Sequence, residues 1–240
     1  MHNAAFRAVG IGWTYEILDV SSDELFETVN ALRAAGVAGA NVTIPHKQAV
    51  MGLLDVLDPQ ALRARAVNTI VNTKGRLSGS NTDVAAIRSA IKELGIEPRG
   101  ATALILGSGG SARAAAIALE GARLTFASRR PKDADLPGAV VAWDDPAVPA
   151  LSRSADLLVN ATPLGRRGEM PIRPAALPRR GAVIDLVYVT GGTPLVRKAR
   201  TLGLRTADGW GILLAQGALS FELWTARPAP IDAMRETLHP

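Results

Sequence analysis

Ala101-Thr-Ala-Leu-Ile-Leu-Gly-Ser-Gly-Gly-Ser-Ala-Arg-Ala-Ala-Ala-Ile-Ala-Leu-Glu-Gly121 is the stretch whose reading decides the fold. The apolar run Ala103 to Leu106 stops at Gly107, and an Ala-rich helical run begins at about Ser111. Gly107, Gly109 and Ala112 fit G-x-G-x-x-A, the turn in which a strand hands over to a helix whose free N–H groups face a pyrophosphate. Gly107 permits the tight turn, Gly109 lets backbone approach the phosphates, and Ala112 lets helix and strand pack closely. The plainer reading is a glycine-rich loop with no ligand. The flanks decide against it: a strand precedes, a helix follows, and a second strand runs from Arg123 to Ala127.

The end of that second strand indicates which dinucleotide. An NAD site places an acidic residue about 20 residues past the glycines to bind the ribose 2′-hydroxyl. This chain has Ser128-Arg129-Arg130 there, then Lys132, with no carboxylate before Asp133. Guanidinium groups suit a 2′-phosphate, so NADP is the expected cofactor, against the alternative of two solvated surface arginines.

Working outward, strands are expected at 102–107, 123–127, 139–143, 156–160, 182–186 and 204–207, alternating with helices. That pattern implies a parallel sheet covered on both faces. The Pro- and Arg-rich stretch 163–180 reads as a long functional loop. Upstream, residues 3–10 read as a helix and Trp13 to Val20 as a strand. Ser21 to Glu24 forms a capping box for a helix carrying Leu25, Val29 and Leu32 until Gly36. A strand from Gly39 to Ile44, helices from His46 to Leu54 and from Pro59 to Arg65, and strands Ala66–Asn72 and Arg76–Ser80 around Lys74-Gly75 follow. Thr82 caps a helix that buries Val84, Ile87, Ile91 and Leu94, and a last helix runs from Gly211 to about Trp224.

Composition narrows the class. The 240 residues are 48% hydrophobic and 20% charged and contain no cysteine, which excludes disulfides and thiolate chemistry. His2, His46 and His239 show no ligand spacing, so no metal site is expected. No apolar run approaches a membrane span and no signal-peptide pattern opens the chain, so cytoplasmic location is expected. The net charge is +5, but the basic residues are scattered, without the aromatic interleaving that marks nucleic-acid binding.

Polar residues cluster in the first third. Asn41-Val-Thr-Ile-Pro-His-Lys47 takes a strand into a turn, and Ala66-Val-Asn-Thr69 and Asn81-Thr-Asp83 put amides, hydroxyls and a carboxylate at strand ends. Spacing alone makes Lys47 a surface lysine and Asp83 a helix-capping acid. These three motifs resemble the shikimate dehydrogenase family. The likeness continues in the same order through Gly107 to Ala112, Asn160-Ala-Thr-Pro-Leu-Gly165, Asp185-Leu-Val-Tyr188, Thr193-Pro-Leu195, Asp208-Gly209 and Gln216-Gly-Ala218.

The resemblance implies NADP-dependent reversible reduction of 3-dehydroshikimate to shikimate. It also implies an α/β plan of two domains flanking a cleft. One is a substrate domain of residues 1–83 plus 210–240, to which the C-terminal helix returns. The other is a Rossmann-type doubly wound domain of residues 84–209. Matched motif by motif, Lys47 and Asp83 form the catalytic pair. Thr43, Asn68, Asp83, Tyr188 and Gln216 bind substrate. Gly107, Ser108, Gly109, Gly110, Ser111 and Ala112 cradle the pyrophosphate, Ser128, Arg129 and Arg130 take the 2′-phosphate, and Thr162, Leu186 and Gly209 line the nicotinamide. The partner is then a small molecule, and the chain a monomer or homodimer.

One departure stands out. Family members open with a strand and a Ser-x-Ser loop that binds the substrate carboxylate, whereas this chain opens at Met1-His-Asn-Ala-Ala-Phe6, the segment after that loop. A start site further upstream would account for this. Real loss would leave a degenerate NADP-binding sensor with exposed sheet edges. A chain that still turns over shikimate would have to hold the substrate carboxylate elsewhere, with Arg63 and Arg65 as the first candidates. A quinate/shikimate dehydrogenase is a further alternative.

Overall fold

The computed structural model describes residues 1–133 and 135–238; His239 lies outside them. In chain order the first elements are α1 (His2–Ala8), α2 (Leu25–Ala31), β1 (Gly39–Asn41), β2 (Val56–Leu57) and α3 (Pro59–Ala64). Then come β3 (Thr69–Thr73), β4 (Arg76–Ser80), α4 (Thr82–Glu93), β5 (Thr102–Leu106), α5 (Gly110–Ala118) and β6 (Arg123–Ser128). The remainder comprises β7 (Ala139–Ala142), α6 (Val148–Ser154), β8 (Leu157–Asn160), β9 (Ala182–Asp185), α7 (Pro194–Thr201), β10 (Arg205–Ala207), α8 (Gly209–Thr225) and α9 (Ile231–Arg235). The chain divides into two compact units, residues 1–82 with 214–240 and residues 83–213.

The second unit is a six-stranded sheet in the order β10-β9-β8-β5-β6-β7, and every neighbouring pair is parallel. Two series of strands run outward from β5, which is the doubly wound, Rossmann-type arrangement, with its ligand crevice at the carboxyl ends of the strands where the order reverses. Strands β8 and β9 are buried along their whole length, as a sheet covered on both faces demands. Leu104, Leu106, Ala127, Leu158, Val183, Leu195 and Ala199 belong to one buried cluster on this sheet.

The first unit holds a four-stranded sheet, β1-β3-β4-β2, with β3 and β4 antiparallel and β2 parallel to β4. Lys74 and Gly75 join β3 to β4 with φ of 54° and 88°, the left-handed pair that a two-residue type I′ hairpin requires. Leu25, Val29, Val50, Ala61, Val67, Ile70 and Leu77 form its core. The C-terminal half of α8 docks on this sheet: Trp224 Nε1 donates to the Ile70 carbonyl at 2.9 Å and Asn41 Nδ2 to Ser220 Oγ at 3.0 Å.

Three expectations fail. Ser21 caps no helix: α2 has Glu24 as its N-cap, without a side-chain cap bond. Residues 13–20 form no strand. The Asn3 side chain pairs with the Tyr15 backbone instead, donating to its carbonyl at 3.0 Å and accepting from its N–H at 2.6 Å, while Ile17 stays 90% exposed. Residues 46–54 are not an α-helix but a turn followed by a short 3-10 helix at Ala49–Leu53. The reason is local competition. The Lys47 carbonyl accepts from the Val67 N–H at 2.7 Å, and Met51 N–H goes to Gln48, three residues back. Strand β2 and helix α9 carry no periodic signal in sequence and appear only in the fold.

Candidate active site

In the second unit, β5 ends at Leu106 and the chain turns through Gly107, whose φ of +113° is closed to most side chains. A Cβ on Gly107 would lie 3.0 Å from the Ala161 carbonyl oxygen and 3.3 Å from Thr162 Cγ2, so the turn is set against the loop after β8. A Cβ on Gly109 would meet nothing within 4 Å. Gly109 is the N-cap of α5 and no side chain caps that helix. The first N–H groups of Gly110, Ser111 and Ala112 therefore have no intrahelical partner and present the positive end of the helix dipole to open space. These residues fit a pyrophosphate.

At the end of β6, Arg129 and Arg130 are exposed and Ser128 is buried. The Ser128 hydroxyl donates to Ser108 Oγ at 2.9 Å and accepts from the Arg130 N–H at 3.1 Å. It therefore ties the arginine turn to the glycine turn, and the two guanidinium groups are what remains to meet a phosphate.

The carboxyl ends of β8 and β9 carry Asn160 and Asp185, both fully buried. Asn160 Oδ1 accepts from the Thr162 N–H at 3.1 Å and hydroxyl at 2.7 Å. Its Nδ2 donates to the Leu164 carbonyl and to Asp185 Oδ1, both at 2.8 Å. Asp185 also accepts from the Val187 N–H at 3.0 Å and the Thr193 hydroxyl at 2.6 Å. Burial pushes the Asp185 carboxyl above its ordinary range, against these hydrogen bonds. Leu186 N–H donates to the Asn160 carbonyl at 3.0 Å. Gly209 closes the group: a Cβ there would lie 2.4 Å from the Val187 carbonyl carbon. Tyr188 is 42% exposed and its ring centroid lies 5.3 Å from that of Trp210. Asp83, half-buried, sits in the first turn of α4.

In the first unit, Asn68 is buried at the head of β3, accepting from the Thr82 N–H at 2.8 Å through Oδ1 and donating to Thr82 Oγ1 at 2.9 Å. Gln216 Oε1 lies 3.4 Å from Asn68 Nδ2, so these two are brought together. Thr69 Oγ1 and Ser220 Oγ, 2.8 Å apart, extend the network. Thr43 is exposed and Lys47 half-buried in the turn after β1. His46 Nε2 lies 2.7 Å from the Val20 carbonyl. Arg63 and Arg65 lie at the end of α3, with Arg65 its left-handed C-cap at φ 48°.

Sequence reasoning missed the Ser128–Ser108 pair, Ser220, and the bonding of Asn160 to Asp185. Only the last left a signal, a polar residue ending each of two otherwise apolar strands. Among the described residues no group of His, Asp and Glu could hold a metal ion, and no helix is long and apolar enough to cross a membrane.

Residues 1–70 match the shikimate dehydrogenase substrate binding domain family, and residues 209–239 match the shikimate 5′-dehydrogenase C-terminal domain family. The chain is 38% identical to a shikimate dehydrogenase (NADP(+)) of Desulforamulus reducens, over all of this chain and 89% of that relative. It is 42% identical to one of Moorella thermoacetica, over 99% of this chain and 86% of the relative. The crystal structure of shikimate 5-dehydrogenase from Thermus thermophilus in complex with NADP(H) and shikimate superposes with a TM-score of 0.85. Identity there is 34%, over 99% of this chain and 91% of the other. With a doubly wound sheet, an open glycine turn and likeness across its whole length, the chain belongs to the shikimate dehydrogenase family.

Proposed function

We propose that this protein catalyses the NADP-dependent, reversible reduction of 3-dehydroshikimate to shikimate. The observation that carries the reading is the uncapped glycine turn at 107–112 beside the exposed Arg129 and Arg130, in a chain 38% identical end to end to an NADP(+) shikimate dehydrogenase. The units take different tasks: residues 83–213 bind cofactor and supply Asp83 and Tyr188 toward the substrate, and residues 1–82 with 214–240 supply the other substrate contacts.

Within the cofactor unit, Gly107 to Ala112 face the pyrophosphate and Arg129 and Arg130 meet the 2′-phosphate, with Ser128 holding their turn. Thr162, Leu186 and Gly209 shape the nicotinamide end. Bound NADP supplies or accepts the hydride at C3. Lys47 gives the C3 oxygen its proton in the reducing direction and takes it back in the other. Asp83, in the first turn of α4, holds the same edge of the ring. Asn68, already fixed by Thr82, and Gln216 offer amide groups to ring hydroxyls, and Thr43 and Tyr188 offer hydroxyls of their own.

The test is turnover by the purified chain. NADPH should be consumed with 3-dehydroshikimate and NADP+ reduced with shikimate, both faster than with NAD or quinate. Lys47→Ala should lower kcat by about 10²–10⁴, the usual worth of acid–base assistance, at unchanged NADPH affinity. A purified chain that binds NADPH but reduces no 3-dehydroshikimate would refute the substrate. Faster turnover of quinate would point to the neighbouring quinate activity.

A further inference from the structure

Asp185 and Asn160 belong to no ligand contact proposed above, yet their bonds converge on the loops that shape the nicotinamide end. Both side chains are fully buried and their polar atoms engaged. Asn160 spends both amide hydrogens on the Leu164 carbonyl and Asp185 Oδ1, and its oxygen on the backbone and hydroxyl of Thr162. Asp185 holds the Val187 N–H and, through Thr193, the first turn of α7, because Thr193 Oγ1 in turn accepts from Val196 N–H at 3.2 Å.

The loops are packed together as well as bonded. Gly165, with φ +110°, lies where a Cβ would be 3.3 Å from Thr193 Cγ2 and 3.8 Å from Asp185 Oδ2. Val187 touches Gly209 so closely that no Cβ fits between them. One carboxylate thereby ties three chain segments, 160–165, 185–188 and the start of α7, and the second of these packs against Gly209 at the start of α8. A buried charge with three donors is costly to maintain unless every donor is in place, which makes the arrangement rigid. Small displacements of reacting groups are expensive, about a hundredfold in rate for an ångström.

We infer that Asp185, acting through Asn160 and Thr193, is the positioning residue for the nicotinamide end of the cofactor. It sets Thr162, Leu186 and Gly209 in place while touching neither cofactor nor substrate. The inference rests on the NADP reading above.

The test uses the full chain carrying Asp185→Asn, a nearly isosteric change. Whichever way the new amide turns, it faces a donor with a donor or deprives the Thr193 hydroxyl proton of its acceptor, so one link is lost while the packing stays. Thr193→Val removes the same link from the other side, and Thr193→Ser restores it. Expected for Asp185→Asn and Thr193→Val is an NADPH dissociation constant within about threefold of wild type, since the arginine turn and glycine turn are untouched. The emission enhancement and anisotropy of the bound nicotinamide should drop, and kcat should fall by about 10–100-fold. Thr193→Ser should behave as wild type.

Wild-type emission and kcat in Asp185→Asn and Thr193→Val would overturn the inference. So would losses of NADPH affinity and thermal midpoint in step with kcat, because the carboxylate would then only hold the fold. A wild-type chain that binds NADPH without turning over shikimate would fail the substrate reading alone, and the emission measurement would still decide this one. A wild-type chain that binds no NADPH would end both.

Discussion

Arg129 stands exposed at the end of β6, and a charge-assisted bond to phosphate is worth about 1.5–3 kcal/mol. Arg129→Ala should therefore weaken NADP binding tenfold or more and leave NAD binding nearly unchanged. Titration of both cofactors decides it, and equal losses would show that the guanidinium does not read the 2′-phosphate. His2 presents the opposite situation, a titratable group that gains from staying neutral. It lies 5% exposed among Phe6, Tyr15 and Trp224, with ring centroids 4.6–6.4 Å away and Nδ1 without a partner. Burial, helped by the Met1 ammonium and opposed by a hydrogen bond with Asn41, pushes its pKa down to about 4. A depressed histidine binds its proton more readily in the unfolded chain. Its contribution to stability is intact above the ordinary histidine pKa of about 6.5 and is lost as pH falls from there toward about 4, by at most about 3 kcal/mol. Asp185, raised by burial, works in the reverse direction, so the comparison must be made against a variant. Urea unfolding at about pH 7 and about pH 4.5 should show a smaller acid loss in His2→Phe than in wild type. Equal losses would mean that the imidazole is protonated without penalty in the fold.

At the scale of elements, two of the three glycines of α8 are of opposite kind. At Gly209 a Cβ would lie 2.4–2.6 Å from the backbone of Val187 and Tyr188, whereas at Gly217 its nearest neighbours would be the end of Met1 at 2.2 and 3.3 Å and then His2 Cε1 at 3.6 Å. Backbone cannot yield cheaply, but a methionine end can. Gly217→Ala should thus cost little, with the helix propensity of alanine offsetting Met1's displacement by about 1 kcal/mol. Gly209→Ala should destabilise by more than about 2 kcal/mol, as overpacking does, and lower kcat with it. Chemical denaturation of the two variants checks the ranking. The same contrast explains what was legible before the structure. The β5–α5 turn and the Lys74-Gly75 hairpin were readable because each depends on backbone conformations that only a few residues within one short window adopt. Residues 13–20 and 46–54 were not, since their conformation depends on Asn3 and on the Val67 N–H, partners that periodicity does not name. In the site, the exposed arginines at the end of β6 were readable from position alone. The inward turn of Ser128 and the meeting of Asn160 with Asp185 depend on which strands become neighbours, here β5 with β6 and β8 with β9.

For the whole molecule, charge and core both divide at the same places. Residues 83–213 carry all of the chain's positive excess, and the remainder is close to neutral. That distribution suits a unit that binds a polyanion and leaves the other free to recognise a polar ring. Each unit also has its own buried cluster, around Leu104, Leu158 and Val183 in one and around Ile70, Leu77 and Val67 in the other. A ligand that binds only the native form of a unit raises that unit's opening free energy by RT ln(1 + [L]/Kd), about 2.7 kcal/mol at a hundredfold excess over Kd. NADPH should therefore slow hydrogen exchange at the backbone amides of 103–106 and 182–185 by the full factor of about a hundred. Amides of 69–73 and 76–80 should gain markedly less, because their strands belong to the substrate unit. Peptide-resolved exchange with and without NADPH measures both sets in one experiment. Equal protection in the two sheets would mean that the units open only together, and the division of labour proposed for them would then describe binding surfaces rather than independent folding units.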